Sequence, residues 1–136
     1  AGKGWYRYEP GNRKPLTDPE VEKLIAEHRQ SLGLDPRAIG DDEIVERCLF
    51  ALANEGARIL EEGIALRASD VDLVYLNGYG FPNYRGGPMF NADVVGLPRV
   101  LGKMQQWSKG HRGEAWQPAA LLAKLAAEGR KFTPLA

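Results

Sequence analysis

The chain has 136 residues, 43% hydrophobic and 26% charged, a balance that suits one globular domain with a buried core. Its 18 basic and 18 acidic residues cancel, so no net field draws it toward nucleic acid or anionic lipid. A single cysteine, Cys48, excludes an intrachain disulfide and a thiolate metal cluster, and no apolar run approaches the ~18 residues a membrane span needs.

The opening GWYRYEPGNRKP reads as an extended aromatic segment followed by a turn-rich loop that ends at Pro15. Trp5, Tyr6 and Tyr8 are expected to lie against the body of the protein. A stacking surface for single-stranded nucleic acid is the weaker reading, because aromatic and basic residues do not go on alternating. At Thr17-Asp18-Pro19-Glu20 the start signals of a helix converge: Thr17 with Glu20 fits a capping box, and Asp18 before Pro19 fits a cap with proline in the first turn. Val21, Leu24, Ile25, His28 and Leu32 follow at helical spacing, and Gly33 supplies a stop. His28 reads as a half-buried, satisfied histidine, since no ligand or carboxylate stands at a useful spacing; His111 has even less support.

After Gly40, Asp41 caps a second helix that runs toward Gly63, about 22 residues or ~33 Å long. Ile44, Val45, Cys48, Leu49, Leu52, Ile59 and Leu60 are its expected inward stripe, with Cys48 a small buried hydrophobe. Gly56 costs about 1 kcal/mol in mid-helix, which a neighbouring backbone passing close would explain. Ser69 with Asp72 marks a third start. Gly87-Pro88 opens a short helix to Val95, Pro98 starts one with Val100, Leu101, Met104 and Trp107 on one face, and Pro118 starts the last, with Leu121, Leu122 and Leu125. No convincing alternating strand interrupts the series. The expected fold is all-α: an extended segment over 1–16, then a helical domain over 17–136. Charge is uneven along it, with ten acids against four bases from Asp35 to Asp72 and seven bases against two acids from Arg99 to Lys131. Solvated helix faces explain this more simply than a charged partner does.

One stretch resists the helical pattern. Residues 77–88, NGYGFPNYRGGP, hold four glycines and two prolines around Tyr79, Phe81 and Tyr84. Preceded by VDLVYL, it mimics a strand feeding a dinucleotide-binding turn, but Asn83 stands where the third glycine is needed and no helix follows directly. Asp70 and Asp72 point apart on a helix, Ser69 has no histidine base, and Glu55, Arg58 and Glu62 form ordinary surface pairs. The residues by themselves assign no catalytic, cofactor-binding or metal-ligating position.

The combination NEGARILEEGIALRASDVDLVYLNGYGFPNYRGGPMFNADVVGLPRVL, with GKGWYRY and DEIVERCLFALANEGARILEEG before it, resembles the C-terminal helical domain of the L-3-hydroxyacyl-CoA dehydrogenase family. The resemblance covers nearly the whole chain. It is strongest to the last repeat of multifunctional β-oxidation enzymes that carry an enoyl-CoA hydratase/isomerase domain, of the peroxisomal bifunctional type or bacterial relatives. It implies a parent that oxidises L-3-hydroxyacyl-CoA with NAD through a histidine–glutamate pair in a preceding Rossmann domain, and no cofactor in this fragment itself. It further implies that Gly78, Gly80, Phe81, Pro82, Gly86, Gly87 and Pro88 form a structural turn in which Tyr79 and Tyr84 also anchor. The catalytic repeat carries a Val-Asn-Arg pattern; here Val45-Glu46-Arg47 matches it, and a carboxylate lacks the amide's donor. The fragment therefore reads as the non-catalytic repeat, packed on the preceding dehydrogenase domains, and isolated it would pair as a homodimer. A stand-alone helical interaction module and a residual acyl-CoA-binding domain, with phosphates drawn to Arg85 or the basic last third, are the competing readings. The final Thr-Pro-Leu-Ala lacks a peroxisomal tripeptide, so the expected location is a bacterial cytoplasm.

Overall fold

In the computed structural model, which describes residues 4–133, each of the six expected helix starts is followed by a helix. In chain order they are α1 (Pro19–Ser31), α2 (Asp41–Glu61), α3 (Ala68–Gly78), α4 (Pro88–Val95), α5 (Leu97–Trp107) and α6 (Ala120–Ala127). Short 3-10 turns lie at Asn83–Arg85 and Gly113–Trp116. No strand forms among the described residues, so the architecture is all-α. A single antiparallel bridge, Arg7 to Leu16, closes the N-terminal loop through two N–H···O bonds of 2.9 Å.

The chain divides into two compact units, Ala1–Ile39 and Gly40–Ala136, whereas the sequence placed its division at 16/17. The first unit is the bridged loop with α1. Asp18 is the N-cap of that helix, its carboxylate accepting from the Glu20 N–H at 3.0 Å, so of the two start signals the Asp18–Pro19 pair operates. No residue within α1 is buried. Leu24, Ile25, Leu32 and His28 share an open apolar groove with Trp5, and Tyr6 and Tyr8 are exposed too. Within this unit the aromatic segment stays exposed, and His28 is exposed rather than half-buried.

The second unit holds the main core. Phe50, Ala53, Asn54 and Ala57 of α2 recur at i, i+3, i+4 and i+7 and face inward. Met89 and Ala92 of α4, Leu97, Val100, Met104 and Trp107 of α5, and Leu122 and Leu125 of α6 complete the core. Each large apolar side chain enclosed here contributes about 1.5–3 kcal/mol relative to exposure. This corrects the expected α2 stripe. Ile44, Val45 and Cys48 are exposed, and Leu49, Leu52, Ile59 and Leu60 are half-buried. Leu49, Ile59 and Leu60 still pack against the edge of the core, but beside Phe50 the buried face is lined by small residues: Ala53, Gly56 and Ala57 let α4 come close.

Gly56 is the sharpest case. A Cβ there would stand 2.4 Å from the Met89 sulfur, so a buried side chain rather than a backbone fills the space. Gly56→Ala gains helix propensity but forces Met89 to shift within a closed core, which costs about 1–3 kcal/mol. We expect net destabilisation near 1 kcal/mol by denaturant titration. In a Met89→Ala background the same change should stabilise, because the clash is gone.

Salt bridges and rings tie α2 to α5. Glu46 pairs with Arg99 and, at 3.4 Å, with Lys103. The Arg47 guanidinium lies 4.5 Å from the ring centre of Trp107 and 4.9 Å from that of Trp116, and Glu43 holds its Nε at 2.9 Å. Cation–π contacts of this kind add about 0.5–2 kcal/mol each, and they orient the end of α5 against α2.

Candidate functional site

The glycine-rich stretch is the corner between α3 and α4. Gly78 is the last residue of α3, and Gly80 follows with a positive φ of 67° that reverses the chain. Phe81 is then buried at 7% exposure, its ring edge-on to Tyr75 with centroids 6.2 Å apart. Pro82 precedes the Asn83–Arg85 turn, and Gly86 and Gly87 follow it with φ of 73° and 105°. Pro88 begins α4 and is fully buried. Two of the aromatics behave otherwise than expected. Tyr79 and Tyr84 are 75% and 83% exposed, and their contacts are at the surface: the Tyr79 ring lies 5.3 Å from that of Tyr75, and Arg85 lies 5.3 Å from the Tyr84 ring.

What closes the corner is a carboxylate. Asp72, on α3, is buried and accepts from the N–H groups of Met89 at 2.7 Å and Phe90 at 3.1 Å, the first free donors of α4. Sequence assigned Asp72 to the start of α3. There, instead, Asp70 accepts from the backbone N–H of Arg67 and pairs with its guanidinium, which holds the Asp70 carboxyl below its usual range. Burial pushes the Asp72 carboxyl up, the two backbone N–H groups pull it down, and the Asp93 carboxylate adds a smaller upward push.

Two further buried side chains work the same way. Asn54 donates to the Gln117 carbonyl at 3.0 Å and accepts from the Ala119 N–H at 2.7 Å, holding the start of α6 on α2. Asp93 accepts from the Phe132 and Thr133 N–H groups at 2.8 and 2.9 Å, pinning the segment after α6 onto α4. Three side chains thus clip irregular backbone to helices. Sequence reasoning missed all three, since an isolated Asn or Asp inside a helix carries no motif.

The clips turn both aspartates of the corner inward and leave Arg85 as its outer charge. From Val71 to Pro98 the charged residues are Asp72, Arg85 and Asp93, and both aspartates point inward. The exposed side chains include Leu73 and Val74 of α3, Phe90 and Val94 of α4, and Tyr79 and Tyr84 between them. Among the described residues no group of three or more His, Cys, Asp or Glu could hold a metal ion, and no helix is long and apolar enough to cross a membrane.

Comparison with known proteins gives the geometry a family. Residues 44–133 match the model of the 3-hydroxyacyl-CoA dehydrogenase C-terminal domain. The chain is 48% identical over 131 residues to the peroxisomal bifunctional enzyme of Danio rerio, covering 95% of this chain and 18% of that protein. It is 40% identical over 131 residues to the peroxisomal fatty acid beta-oxidation multifunctional protein of Arabidopsis thaliana, covering 93% and 18%. Against the glyoxysomal fatty acid beta-oxidation multifunctional protein of Brassica napus it is 39% identical over 137 residues, covering 98% and 18%. The chain therefore spans about a fifth of the length of these relatives. They are peroxisomal or glyoxysomal eukaryotic enzymes, which overturns the expectation of a bacterial cytoplasm. By the match across residues 44–133, well over half of its length, the chain belongs to the 3-hydroxyacyl-CoA dehydrogenase family, in which it corresponds to the C-terminal domain.

Proposed function

We propose that this chain is the structural, non-catalytic helical repeat of a multifunctional fatty-acid β-oxidation enzyme of the peroxisomal type. Its apolar α3–α4 face seats on the preceding dehydrogenase domains of the same parent. The parent oxidises L-3-hydroxyacyl-CoA with NAD, and this repeat supports the shape of the part that does so. One observation carries the reading: Leu73, Val74, Phe90 and Val94 are held at the surface by helices whose own polar groups are turned inward. An apolar face of this kind is built to be covered. Two supporting facts concern Glu46. It stands where the resemblance places an asparagine of the catalytic repeat, and it is occupied by Arg99 and Lys103. The seven residues of the corner then serve architecture, setting the angle at which α3 and α4 present the face.

The test combines two substitutions with two settings. Phe90→Asp with Val94→Asp should leave the stability of the 136-residue chain within about 1 kcal/mol, because both side chains are exposed. In the full-length parent the same pair should lower NADH consumption with acetoacetyl-CoA roughly tenfold or more, since docking would bury two carboxylates. Unchanged turnover and solubility of the parent would refute the docking face. Turnover by the 136-residue chain alone would refute the non-catalytic reading. An isolated chain with its face uncovered should also sediment as a homodimer, and a monomer at high concentration would remove that expectation.

A further inference from the structure

The two compact units are joined through residues 35–39, where the backbone is held by nothing. The turn bonds that end α1 stop at Leu34, whose N–H reaches the Arg29 carbonyl at 3.1 Å. They resume at the Gly40 carbonyl, which accepts from the Ile44 N–H at 3.2 Å. Between these points Asp35, Pro36, Ala38 and Ile39 are exposed and make no backbone hydrogen bond among the described residues. Pro36 has no N–H to give and keeps Asp35 out of a helical conformation, so α1 cannot be prolonged toward α2. Arg37, also exposed, stands in the middle of this stretch.

A protease draws several residues of extended backbone into its cleft, so burial and backbone hydrogen bonding decide which bond it reaches. The basic residues of the other loops are protected by that measure. Arg7 makes both bonds of the bridge to Leu16, and Arg13 lies in a turn that Asn12 closes through its N–H to Glu9 and its side chain to the Lys14 N–H. After α5, the N–H groups of Lys109, Gly110, Gly113 and Ala115 each bond a carbonyl three residues back. Gly113 there sits so close to Ser108 that an added Cβ would stand 1.9 Å from its carbonyl oxygen, which leaves Arg112 in a tightly closed loop. Arg130 bonds the Leu125 carbonyl at 2.9 Å, and Lys131 precedes the Phe132 and Thr133 N–H groups that Asp93 holds.

We propose that residues 35–39 are a cleavable hinge. A protease specific for basic residues cuts the Arg37–Ala38 bond there and separates the first unit from a helical domain that stays folded without it. Water is consumed as the amide bond breaks, leaving Arg37 with a carboxylate and Ala38 with an ammonium. Every buried apolar side chain among the described residues lies between Phe50 and Phe132, so the cut removes no part of the core. The remaining chain is long enough to bury that core by itself. The new ammonium arises beside the acidic first turn of α2, Asp41, Asp42 and Glu43, which offsets the cost of a positive charge at a helix N-terminus. The hinge is independent of the α3–α4 docking face, since it is tested by which bond is cut and not by turnover of the parent.

The experiment is limited digestion of the 136-residue chain by trypsin and, separately, by thermolysin, which cuts before large apolar residues, with the products identified by intact mass. We expect the first tryptic cut after Arg37 and the first thermolysin cut within residues 34–39. The 38–136 product should survive trypsin about tenfold longer than the intact chain, because its remaining sites open only with the fold. Its unfolding midpoint, followed by the fluorescence of Trp107 and Trp116, should equal that of the same residues in the uncut chain. Arg37→Gln should slow the first tryptic cut about tenfold and leave the thermolysin cut where it was, which separates the exposed backbone from the side chain that trypsin reads. A first tryptic cut at Arg13 or Arg112, a thermolysin cut outside residues 34–39, or an unchanged tryptic rate in Arg37→Gln would each overturn the hinge. A lower midpoint for the 38–136 product would overturn the independence of the helical domain.

Discussion

Asp72→Ala should lower the stability of the helical unit by about 3 kcal/mol at neutral pH, read as the shift in a urea unfolding curve. The change removes the acceptor of two N–H groups, Met89 at 2.7 Å and Phe90 at 3.1 Å. A buried donor left without an acceptor costs about 1–3 kcal/mol, and no neighbouring carbonyl of α4 can serve its own first turn. For a domain of roughly 100 residues this corresponds to a melting point lower by about 15 °C. The loss should be structural and local, freeing the corner first, so amide exchange at Met89 and Phe90 should accelerate before that of the α5 core. Equal protection of those amides in the variant would disprove the cap.

The same residue gives a pH dependence with a definite sign. Burial raises the Asp72 carboxyl above its ordinary value despite the two N–H bonds that oppose the rise. Folding therefore favours the protonated form of this group. Relative to a side chain that does not titrate, its contribution is full below the unfolded value and is lost as pH rises through the folded value. The stability difference between the parent chain and Asp72→Asn should narrow as pH climbs from the usual carboxylate range through that raised value. A difference that widens over this window would mean that the N–H bonds outweigh burial.

Gly87→Ala should be at least as damaging, by about 3–5 kcal/mol. Its φ of 105° with ψ of 165° lies in a region that only glycine occupies without strain, which accounts for about 1–3 kcal/mol. The added Cβ would also stand 2.3 Å from the Asp72 Oδ1 and 2.4 Å from its Cβ and Cγ. To make room the carboxylate must leave the position from which it caps α4. The two effects share one group, so Gly87→Ala combined with Asp72→Ala should cost clearly less than the sum of the two single changes. Strict additivity in that cycle would show that the glycine and the carboxylate act separately. By contrast, Gly78 has nothing within 4 Å of an added Cβ and a negative φ, so Gly78→Ala should be nearly neutral.

Local chemistry determined much of this protein in advance. Proline and capping residues set where the helices begin: Asp18-Pro19, Gly87-Pro88 and Pro98 each stand at the first turn of an observed helix. Those signals act within four residues, so they can be read without the rest of the fold. The joint pattern from Asn54 to Leu101 was equally legible as a family. The direction of α2 was not. Beside Phe50 its core face consists of Ala53, Asn54, Gly56 and Ala57, whose small size matters only once Met89 and Ala92 arrive from about 35 residues away. For the same reason Ile44 and Val45, inward by their hydrophobicity, lie outside. Asp72 reads as a helix-start residue, and Asp93 carries no signal at all, until the distant backbone N–H groups they hold are in place. Helix starts are local free energies, whereas the facing of a helix and the partner of a buried polar group are decided by contacts between segments far apart in the chain.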